Sequence, residues 1–347
     1  MPIKALWFMP ACAGPTKKDS NMKSRMVLLL LALFGAALVS FSPIAHAQVA
    51  NMPPNVQERL AEVGPGWGKD IRGNIAKTLE VYAPILAVAP KDGVVVTRDL
   101  AYGPDPRHRL DIHRLEGKVG VPVVVFFHGG AYVAGERNIS PEVYGNIPTY
   151  FARQGMLGVN ATYRLAPAAK WPAAAEDVAA TVAWLKANAA SYGGDPNRIY
   201  VIGHSAGATH LASYAFIRDL QPASGTGLAG IVLMSGRYLF DPKPDDPNLK
   251  NFQAYFGADR ALYARQSPLN HVKTATKIPT FLVVAEYDNP DLDTQGAMLL
   301  AAQCERDRAC PRFTRLEKHN HLSMTFQFNT RDDALGRDIL EFIKRGR

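Results

Sequence analysis

The sequence predicts an α/β fold with a mostly parallel central sheet, helices on both faces and a small cap. From residue 121 to the C-terminus, apolar β-forming runs alternate with helical patterns, and such alternation is typical of parallel strands joined by helices. The run Val121–Phe127 is continuously apolar, as expected for a central strand that is covered on both sides. In sheets of this kind functional groups collect at the carboxyl ends of the strands.

The first 47 residues predict a leader rather than part of the fold. Lys23 and Arg25 precede the apolar run Met26–Val39, and Ala45-His46-Ala47 offers a small-residue cleavage site. We therefore expect a signal peptide cleaved near Ala47 and export to the periplasm or the medium. Met22 is the more natural start, so residues 1–21 are expected to be an upstream extension, with translation from Met1 as the alternative. The apolar run has 14 residues, too few for a stable membrane anchor.

Composition argues against a nucleic-acid partner. The 347 residues carry a net charge of +8, of which residues 1–47, with five basic and one acidic residue, supply half. The remainder has no Lys/Arg cluster. In an exported chain Cys304 and Cys310 predict a disulfide, with two buried thiols as the alternative. The spacing of His and Cys residues supports no metal site.

Ahead of the alternating region, residues 48–92 carry two helical patterns, near Asn55–Val63 and Asp70–Ala89, and predict a helical arm or cap. Two strands follow, Gly93–Leu100 and His108–Arg114, separated by a Gly/Pro-rich turn. In the second strand Leu110 and Ile112 alternate with Asp111 and His113, which predicts an antiparallel edge pair with one wet face.

The remaining elements follow from the periodicity of the apolar residues. Helices are predicted at Ser140–Gln154, Ala173–Ala190, Ala208–Ile217, Asp293–Arg306 and Asp332–Arg345, and strands at Met156–Ala161, Tyr200–Ile202, Ala229–Met234, Thr280–Ala285 and Arg312–Glu317. A Pro/Asp-rich excursion at 237–277 interrupts the alternation and is predicted to resemble a lid. Its apolar residues either line a pocket or pack as a lid core; they are Tyr238, Leu239, Phe240, Phe252, Tyr255 and Phe256.

A Gly-x-Ser-x-Gly pentapeptide, Gly203–Gly207, joins one of these strands to a helix. The two glycines permit a turn sharp enough to expose the hydroxyl of Ser205. At the start of the new helix, the amide of Ala206 can stabilise a developing oxyanion. The arrangement predicts a nucleophilic serine; the alternative is a plain strand-to-helix turn.

A second glycine motif, His128-Gly129-Gly130-Ala131-Tyr132, follows Val121–Phe127. Gly129 and Gly130 would add amide donors beside Ala206. His128 is interpreted as a residue that fixes the loop, because it lies upstream of the serine. Tyr132 and His204, one from each motif, are predicted to contact substrate.

A serine nucleophile needs an imidazole base and a carboxylate that orients it. Asp288 directly follows a strand and is the predicted carboxylate. Its nearby alternatives are Glu286, Asp291 and Asp293.

For the base, His321 lies just past the last strand and is predicted ahead of His319. His271 falls in the excursion and is interpreted as a surface or cap residue.

The chain order Ser205, Asp288, His321 is the one expected of an α/β-hydrolase. Together with Tyr163–Pro167 and Trp171–Asp177, these motifs resemble the hormone-sensitive-lipase-like carboxylesterases. The ending His319–Ser323 is most similar to a bacterial feruloyl-esterase-like and kynurenine-formamidase-like branch. The resemblance covers about residues 95–345.

This resemblance implies that Ser205 is acylated, that Gly129, Gly130 and Ala206 form the oxyanion hole, and that residues 93–347 are the catalytic domain. It implies His321 as the base, Asp288 as its partner, and a structural role for Asp177. The chain departs from the family at Ala131, where a third glycine is frequent, and at Leu322, where phenylalanine is common.

The expected activity is hydrolysis of carboxylic esters of small or short-acyl substrates, without a cofactor. An aryl formamidase or amidase using the same residues is the first alternative. A catalytically silent hydrolase fold used for binding is the second.

Overall fold

An eight-stranded sheet forms the centre of the computed structural model, which describes residues 52–140 and 142–346. The strands are β1 (Val94–Ala101), β2 (Arg109–Leu115), β3 (Val121–Phe127), β4 (Leu157–Ala161), β5 (Gly194–His204), β6 (Gly230–Met234), β7 (Thr280–Tyr287) and β8 (Arg312–Asn320). They lie in the order β1-β2-β4-β3-β5-β6-β7-β8. Strand β2 is antiparallel to both neighbours, and every pair from β4 to β8 is parallel. The predicted mostly parallel α/β sheet is confirmed.

The predicted leader and its cleavage site lie outside the described residues.

Helices cover both faces of this sheet. They are α1 (Pro54–Val63), α2 (Ile71–Ala87), α3 (Asn146–Arg153), α4 (Ala173–Asn188), α5 (Ala206–Phe216), α6 (Leu249–Phe256), α7 (Tyr263–Gln266), α8 (Leu292–Asp307), α9 (Ser323–Phe326) and α10 (Ala334–Arg345). Along β3, Val123 and Val125 point into one apolar core while Val124 and Phe126 point into another. This alternation follows from the two-residue period of a strand, and it explains why a doubly covered strand reads as continuously apolar.

The edge pair β1–β2 is antiparallel as predicted, but the predicted wet face is wrong. Asp111 and His113 are both buried. Asp111 accepts hydrogen bonds from Arg137 and Asn138, and His113 shares one with Thr149 on α3. Burial alone would raise the pKa of Asp111, but these donors and the Asp99 amide hold it below its usual value.

Three boundaries differ from the sequence prediction by three residues or more. Helix α3 begins at Asn146 instead of Ser140, and β5 starts at Gly194, well before Tyr200. Strand β8 continues to Asn320, so His319 lies inside a strand. Element ends are the least determined part of a periodic pattern, because the polar residues there fit either state.

Two segments outside the alternating series pack on opposite cores. Residues 54–87, which we call the arm, comprise α1, a 3₁₀ turn at Gly64–Lys69 and α2, and they bury Leu60, Trp67 and Tyr82 in the core that contains Phe126. The excursion, residues 237–277, carries α6 and α7 and joins the other core. Its aromatic side chains are buried, Tyr238 among them, and four of them are in ring contact with one another, which favours the packed-core alternative; the four are Phe240, Phe252, Tyr255 and Phe256.

Cys304 and Cys310 lie together at the end of α8, with their sulfur atoms 2.11 Å apart. Across the described ranges, no helix has the length and apolar character needed to cross a bilayer.

Candidate active site

Ser205 occupies a strained turn between β5 and α5. Its backbone has φ 54° and ψ −119°, a conformation that non-glycine residues rarely adopt. The flanking glycines are required by space: a Cβ on Gly203 would lie 2.6 Å from the Gly207 carbonyl oxygen, and one on Gly207 would lie 2.6 Å from that of His128. The glycines of the pentapeptide therefore let the turn pack directly against the end of β3.

The second glycine motif approaches this turn closely. A Cβ on Gly129 would be 3.0 Å from the Cβ of Ser205, and Gly130 has φ 141°, which favours glycine. In the described part of the chain, the amides of Gly129 and Gly130 donate no hydrogen bond to another backbone group. The amide of Ala206 is the first of α5 and has no acceptor within its helix. Three amide donors are thus available around Ser205.

His128 holds the start of the glycine loop in place. Its Nδ1 lies 2.6 Å from the Gly129 carbonyl oxygen, and its ring stacks on Tyr163 at 4.5 Å between centroids. Tyr163 also donates a hydrogen bond to the His128 carbonyl. Burial lowers the pKa of His128 to about 4, so its ring is neutral at ordinary pH.

Asp288 and His321 form a buried pair at the ends of neighbouring strands. The Nδ1 of His321 lies 2.7 Å from Oδ1 of Asp288, and the two side chains are only 5% and 4% exposed. Strands β7 and β8 are parallel neighbours, so their carboxyl ends bring the two residues together across 33 positions of sequence. The amide of His321 also donates to the Tyr287 carbonyl.

Further donors converge on Asp288. Its oxygens accept hydrogen bonds from the backbone amides of Ala285 and Asn289 and from the hydroxyl of Ser235. Ser235 follows β6 directly and has φ 50°, a strained backbone like that of Ser205. Sequence reasoning missed Ser235; its place at the carboxyl end of a strand is the signal that could have identified it.

Ser205 and His321 line one cavity of about 820 Å³. Among the described residues, the Ser205 hydroxyl and Nε2 of His321 make no hydrogen bond to each other or to any other side chain. With Nδ1 of His321 held by Asp288, Nε2 is the nitrogen that can accept the serine proton. Such contacts are often long without substrate and tighten when it binds.

His204 connects the Ser205 turn to the loop that carries His321. Its Nε2 donates to the His321 backbone carbonyl at 2.8 Å, and the two rings are 4.6 Å apart. Burial holds the pKa of His204 well below its usual value. The side chain is 1% exposed and its hydrogen bond positions the His321 loop; His204 also lines the cavity, and the predicted substrate contact stays a prediction.

Tyr132, the other predicted substrate-binding residue, lies at the cavity wall with its ring in the aromatic core. The ring stacks on Tyr255 with centroids 5.6 Å apart, and the backbone has φ 73°. The cavity is also lined by Leu322, which follows His321, and by parts of the arm and of the excursion; among these are Ile71, Arg72, Ile75, Arg237, Asn251 and Phe252.

The alternatives left open by the sequence lie elsewhere. His319 is buried beside Ser323 and Asp332, and burial lowers its pKa to about 3. Asp291 pairs with Lys243, and Glu286 accepts the amide of Lys318.

Three further side chains named in the sequence analysis also lie outside the pair. Asp293 binds the amide of the next residue, and His271 bonds to the Arg265 carbonyl in the excursion. Asp177 is buried between Arg164 and His108.

The described residues contain no group of three or more His, Cys, Asp or Glu side chains placed to hold a metal ion. What they assemble is a strained serine, a histidine–carboxylate pair and a set of amide donors. These are the groups that nucleophilic attack on a carbonyl carbon requires.

Comparison with known proteins agrees with this chemistry. Residues 110–221 match the BD-FAE family. The esterase LipC of Mycobacterium tuberculosis is 31% identical over 205 residues, which are 54% of this chain and 49% of LipC. A probable isoprenylcysteine alpha-carbonyl methylesterase of Oryza sativa, ICMEL1, is 36% identical over 133 residues, 38% of this chain and 30% of the relative. The chain therefore spans half or less of the length of these two relatives.

Among solved structures, a Pyrobaculum calidifontis esterase superposes with a TM-score of 0.65 at 23% identity, covering 84% of this chain and 98% of that one. At this identity the match establishes the fold. The kynurenine-formamidase-like branch is not shown by these matches. The chain has the α/β-hydrolase fold and is related in sequence to esterases, with its residues 110–221 similar to the BD-FAE family.

Proposed function

We propose that this protein is a serine hydrolase that cleaves carboxylic esters of small or short-acyl substrates through an acyl-enzyme. The observation that carries the proposal is the presence of Ser205, at a strained turn, in one cavity with the Asp288–His321 pair. A cavity of about 820 Å³ has room for a small ester. The esterase names of the relatives support the same conclusion.

In the acylation step, Oγ of Ser205 attacks the ester carbonyl carbon while Nε2 of His321 takes the hydroxyl proton. The negative charge that develops on the carbonyl oxygen is stabilised by the amides of Gly129, Gly130 and Ala206. As the carbonyl re-forms, the C–O bond to the alcohol breaks and His321 returns the proton to the leaving oxygen. Asp288 stabilises the imidazolium and fixes its orientation.

Deacylation repeats these steps with water as the nucleophile. His321 removes a proton from water, the hydroxide oxygen bonds to the acyl carbon, and the bond to Ser205 breaks. The proton passes to Oγ of Ser205, and the carboxylic acid leaves. Both halves use the same three side chains.

The test is turnover of p-nitrophenyl esters of increasing acyl length, together with labelling by a fluorophosphonate probe. We expect hydrolysis that declines for long acyl chains and labelling that is lost in Ser205→Ala. Failure of the native protein to take the label or to hydrolyse any ester would remove the proposal, and would favour a silent fold used for binding.

The formamidase alternative uses the same residues, because amide cleavage differs mainly in how the leaving nitrogen is protonated. Turnover of N-formylkynurenine, measured beside the ester series on the same preparation, separates the two. A kcat/KM for the formamide above that of the best ester would favour the alternative.

We also propose export after cleavage near Ala47, with a disulfide between Cys304 and Cys310. Support comes from the basic and apolar pattern of residues 23–47 and from the adjacent sulfur atoms. Mass spectrometry of the protein recovered from cells tests both points. A chain beginning at Gln48 and lacking free thiols is expected; an intact leader or two alkylatable cysteines would contradict the respective prediction.

A further inference from the structure

The 3₁₀ turn of the arm packs against the loop that carries Asp288. Trp67 is 1% exposed, and its Nε1 donates a 2.8 Å hydrogen bond to the side-chain oxygen of Asn289, 222 positions away in sequence. A Cβ on Gly64 would overlap the ring of Tyr287, and one on Gly68 would lie 3.6 Å from Pro290. The turn thus contacts the residues on both sides of Asp288.

Helix α2 of the arm makes a second contact, with the loop that carries His321. The Nδ2 of Asn320 donates a 2.9 Å hydrogen bond to Oγ of Thr78, and both residues are fully buried. The other side of the same amide, Oδ1, accepts the backbone amides of Leu322 and Ser323. Asn320 therefore shapes the turn around His321 while Thr78 holds Asn320.

These two contacts hold the loops whose side chains, Asp288 and His321, share a short hydrogen bond. The Asp288–His321 hydrogen bond needs both loops in register, and a small displacement of either one misplaces the imidazole relative to Ser205. Buried hydrogen bonds with fixed partners resist such displacement, because an unpaired buried group costs free energy. The arm also lines the cavity through residues 68–72 and 75.

We infer that three residues of the arm, Trp67, Gly64 and Thr78, are positioning residues for the acid–base pair. This inference rests on the proposed hydrolase function. The arm contributes no group that touches the reacting atoms. It acts through Asn289, Tyr287 and Asn320.

The experiment compares Trp67→Phe, Gly64→Ala and Thr78→Val with a matched control, Gly66→Ala. Gly66 lies in the same turn, and a Cβ there would meet nothing within 4 Å. We expect Trp67→Phe, Gly64→Ala and Thr78→Val each to lower kcat by about tenfold or more, with KM little changed, and Gly66→Ala to keep the native kcat. Thermal melting of each variant ensures that kcat is measured on folded protein.

Two readouts separate positioning from general stability. The low-field proton resonance of the Asp288–His321 hydrogen bond should broaden or move in Trp67→Phe and stay unchanged in Gly66→Ala. In a double-mutant cycle, Trp67→Phe and Asn289→Ala should not add, because they break the same contact. Native kcat and an unmoved resonance in Trp67→Phe and Gly64→Ala would overturn the inference, as would equal losses in Gly66→Ala.

Failure of this inference is distinguishable from failure of the proposed function. A native protein that hydrolyses esters and labels at Ser205, while all three arm variants match it, leaves the hydrolase intact and removes the role of the arm. A native protein without hydrolase activity removes the proposed function. The proton resonance is read without substrate and tests the contact with the loops in either case.

Discussion

The two halves of the site are held in different ways. On the nucleophile side, Ser205 and the glycine amides are fixed by the main chain: a strained turn, glycines without room for a Cβ, and close approach of Gly129. On the acid–base side, Asp288 and His321 are fixed by side-chain hydrogen bonds from distant elements, including Ser235.

The difference shows where each half is vulnerable. Main-chain geometry of this kind is broken by adding a methyl group, because interiors are close-packed and carbonyl oxygens cannot move aside cheaply. A network of side-chain hydrogen bonds loses its parts one at a time. His204, the last residue of β5, donates a hydrogen bond to the His321 carbonyl and so joins the two halves.

The largest effect is expected when the reacting side chain is removed from either half of the site. We expect Ser205→Ala and His321→Ala each to lower kcat by about 10⁴-fold or more, and the double variant to lose little further, because the residues act as a unit. His319→Gln should keep kcat within about tenfold, since His319 is buried away from the cavity. Steady-state kinetics on a p-nitrophenyl ester checks all four variants. A larger loss in His319→Gln than in His321→Ala would exchange their roles.

Next in size is the addition of one methyl group on the nucleophile side, in Gly207→Ala. The new Cβ would clash with the Phe127 and His128 carbonyls and push the glycine loop away from Ser205. Loss of oxyanion donors should lower kcat by about 10²- to 10³-fold. The measurement is kcat together with the melting temperature, against Gly66→Ala, where the same methyl meets open space. Unchanged kcat and melting temperature would show that the main chain there is not rigid.

A smaller effect is expected on the acid–base side from Ser235→Ala. The variant removes one donor from Asp288, which keeps the amides of Ala285 and Asn289, so kcat should fall by about tenfold. Ser235→Gly removes the same hydroxyl and relieves the positive φ of 50°. Equal kcat values for the two variants would assign the loss to the hydroxyl. Recovery in the glycine variant would assign it to the backbone instead.

The smallest effect concerns pH, and it involves one histidine from each half. Burial lowers the pKa of His128 to about 4 and that of His319 to about 3, from 6.5. Between these lowered pKa values and 6.5, the unfolded chain therefore binds more protons than the folded protein does. As a result, the free energy of unfolding falls as pH drops below about 6.5. Asp332 opposes this, because burial raises its pKa to about 7 and its neutral form favours the folded state as pH falls.

His113 and His210, lowered to about 4 and 3, act in the same direction as His128 and His319, so the histidines outweigh Asp332. In His319→Gln, proton uptake on unfolding near pH 5 should decrease by about one proton. Urea unfolding between pH 4.5 and 7 measures the slope. A slope equal to that of the native protein would mean that His319 does not titrate on unfolding.

The two halves also differ in how far the sequence could predict them. The glycine motifs are local, and their flanking strand and helix patterns predict Ser205, Gly129, Gly130 and Ala206 as site residues without reference to any distant part of the chain. Asp288 and His321 were predicted from their positions after strands, with alternatives that only the pairing at 2.7 Å sets aside. Their supporting residues Trp67 and Thr78 gave no signal in the sequence, because their partners lie more than 200 positions away.

The error at β2 has the same origin. Alternation along the strand indicated correctly that Asp111 and His113 face away from Leu110 and Ile112, but a pattern within one strand contains no information about what covers that face. Here the residues around Arg137 and helix α3 cover it and supply polar partners.

Local sequence features account for the alternation of strands and helices and for the strained turn at Ser205, because these depend on the periodicity of apolar residues and on the steric freedom of glycine. Long-range packing selects which carboxylate meets which histidine, buries the aromatic residues of the excursion in a common core, and brings the arm against both site loops. Those outcomes depend on contacts between residues far apart in the chain, where hydrogen-bond geometry and burial select one pairing among several that the sequence permits.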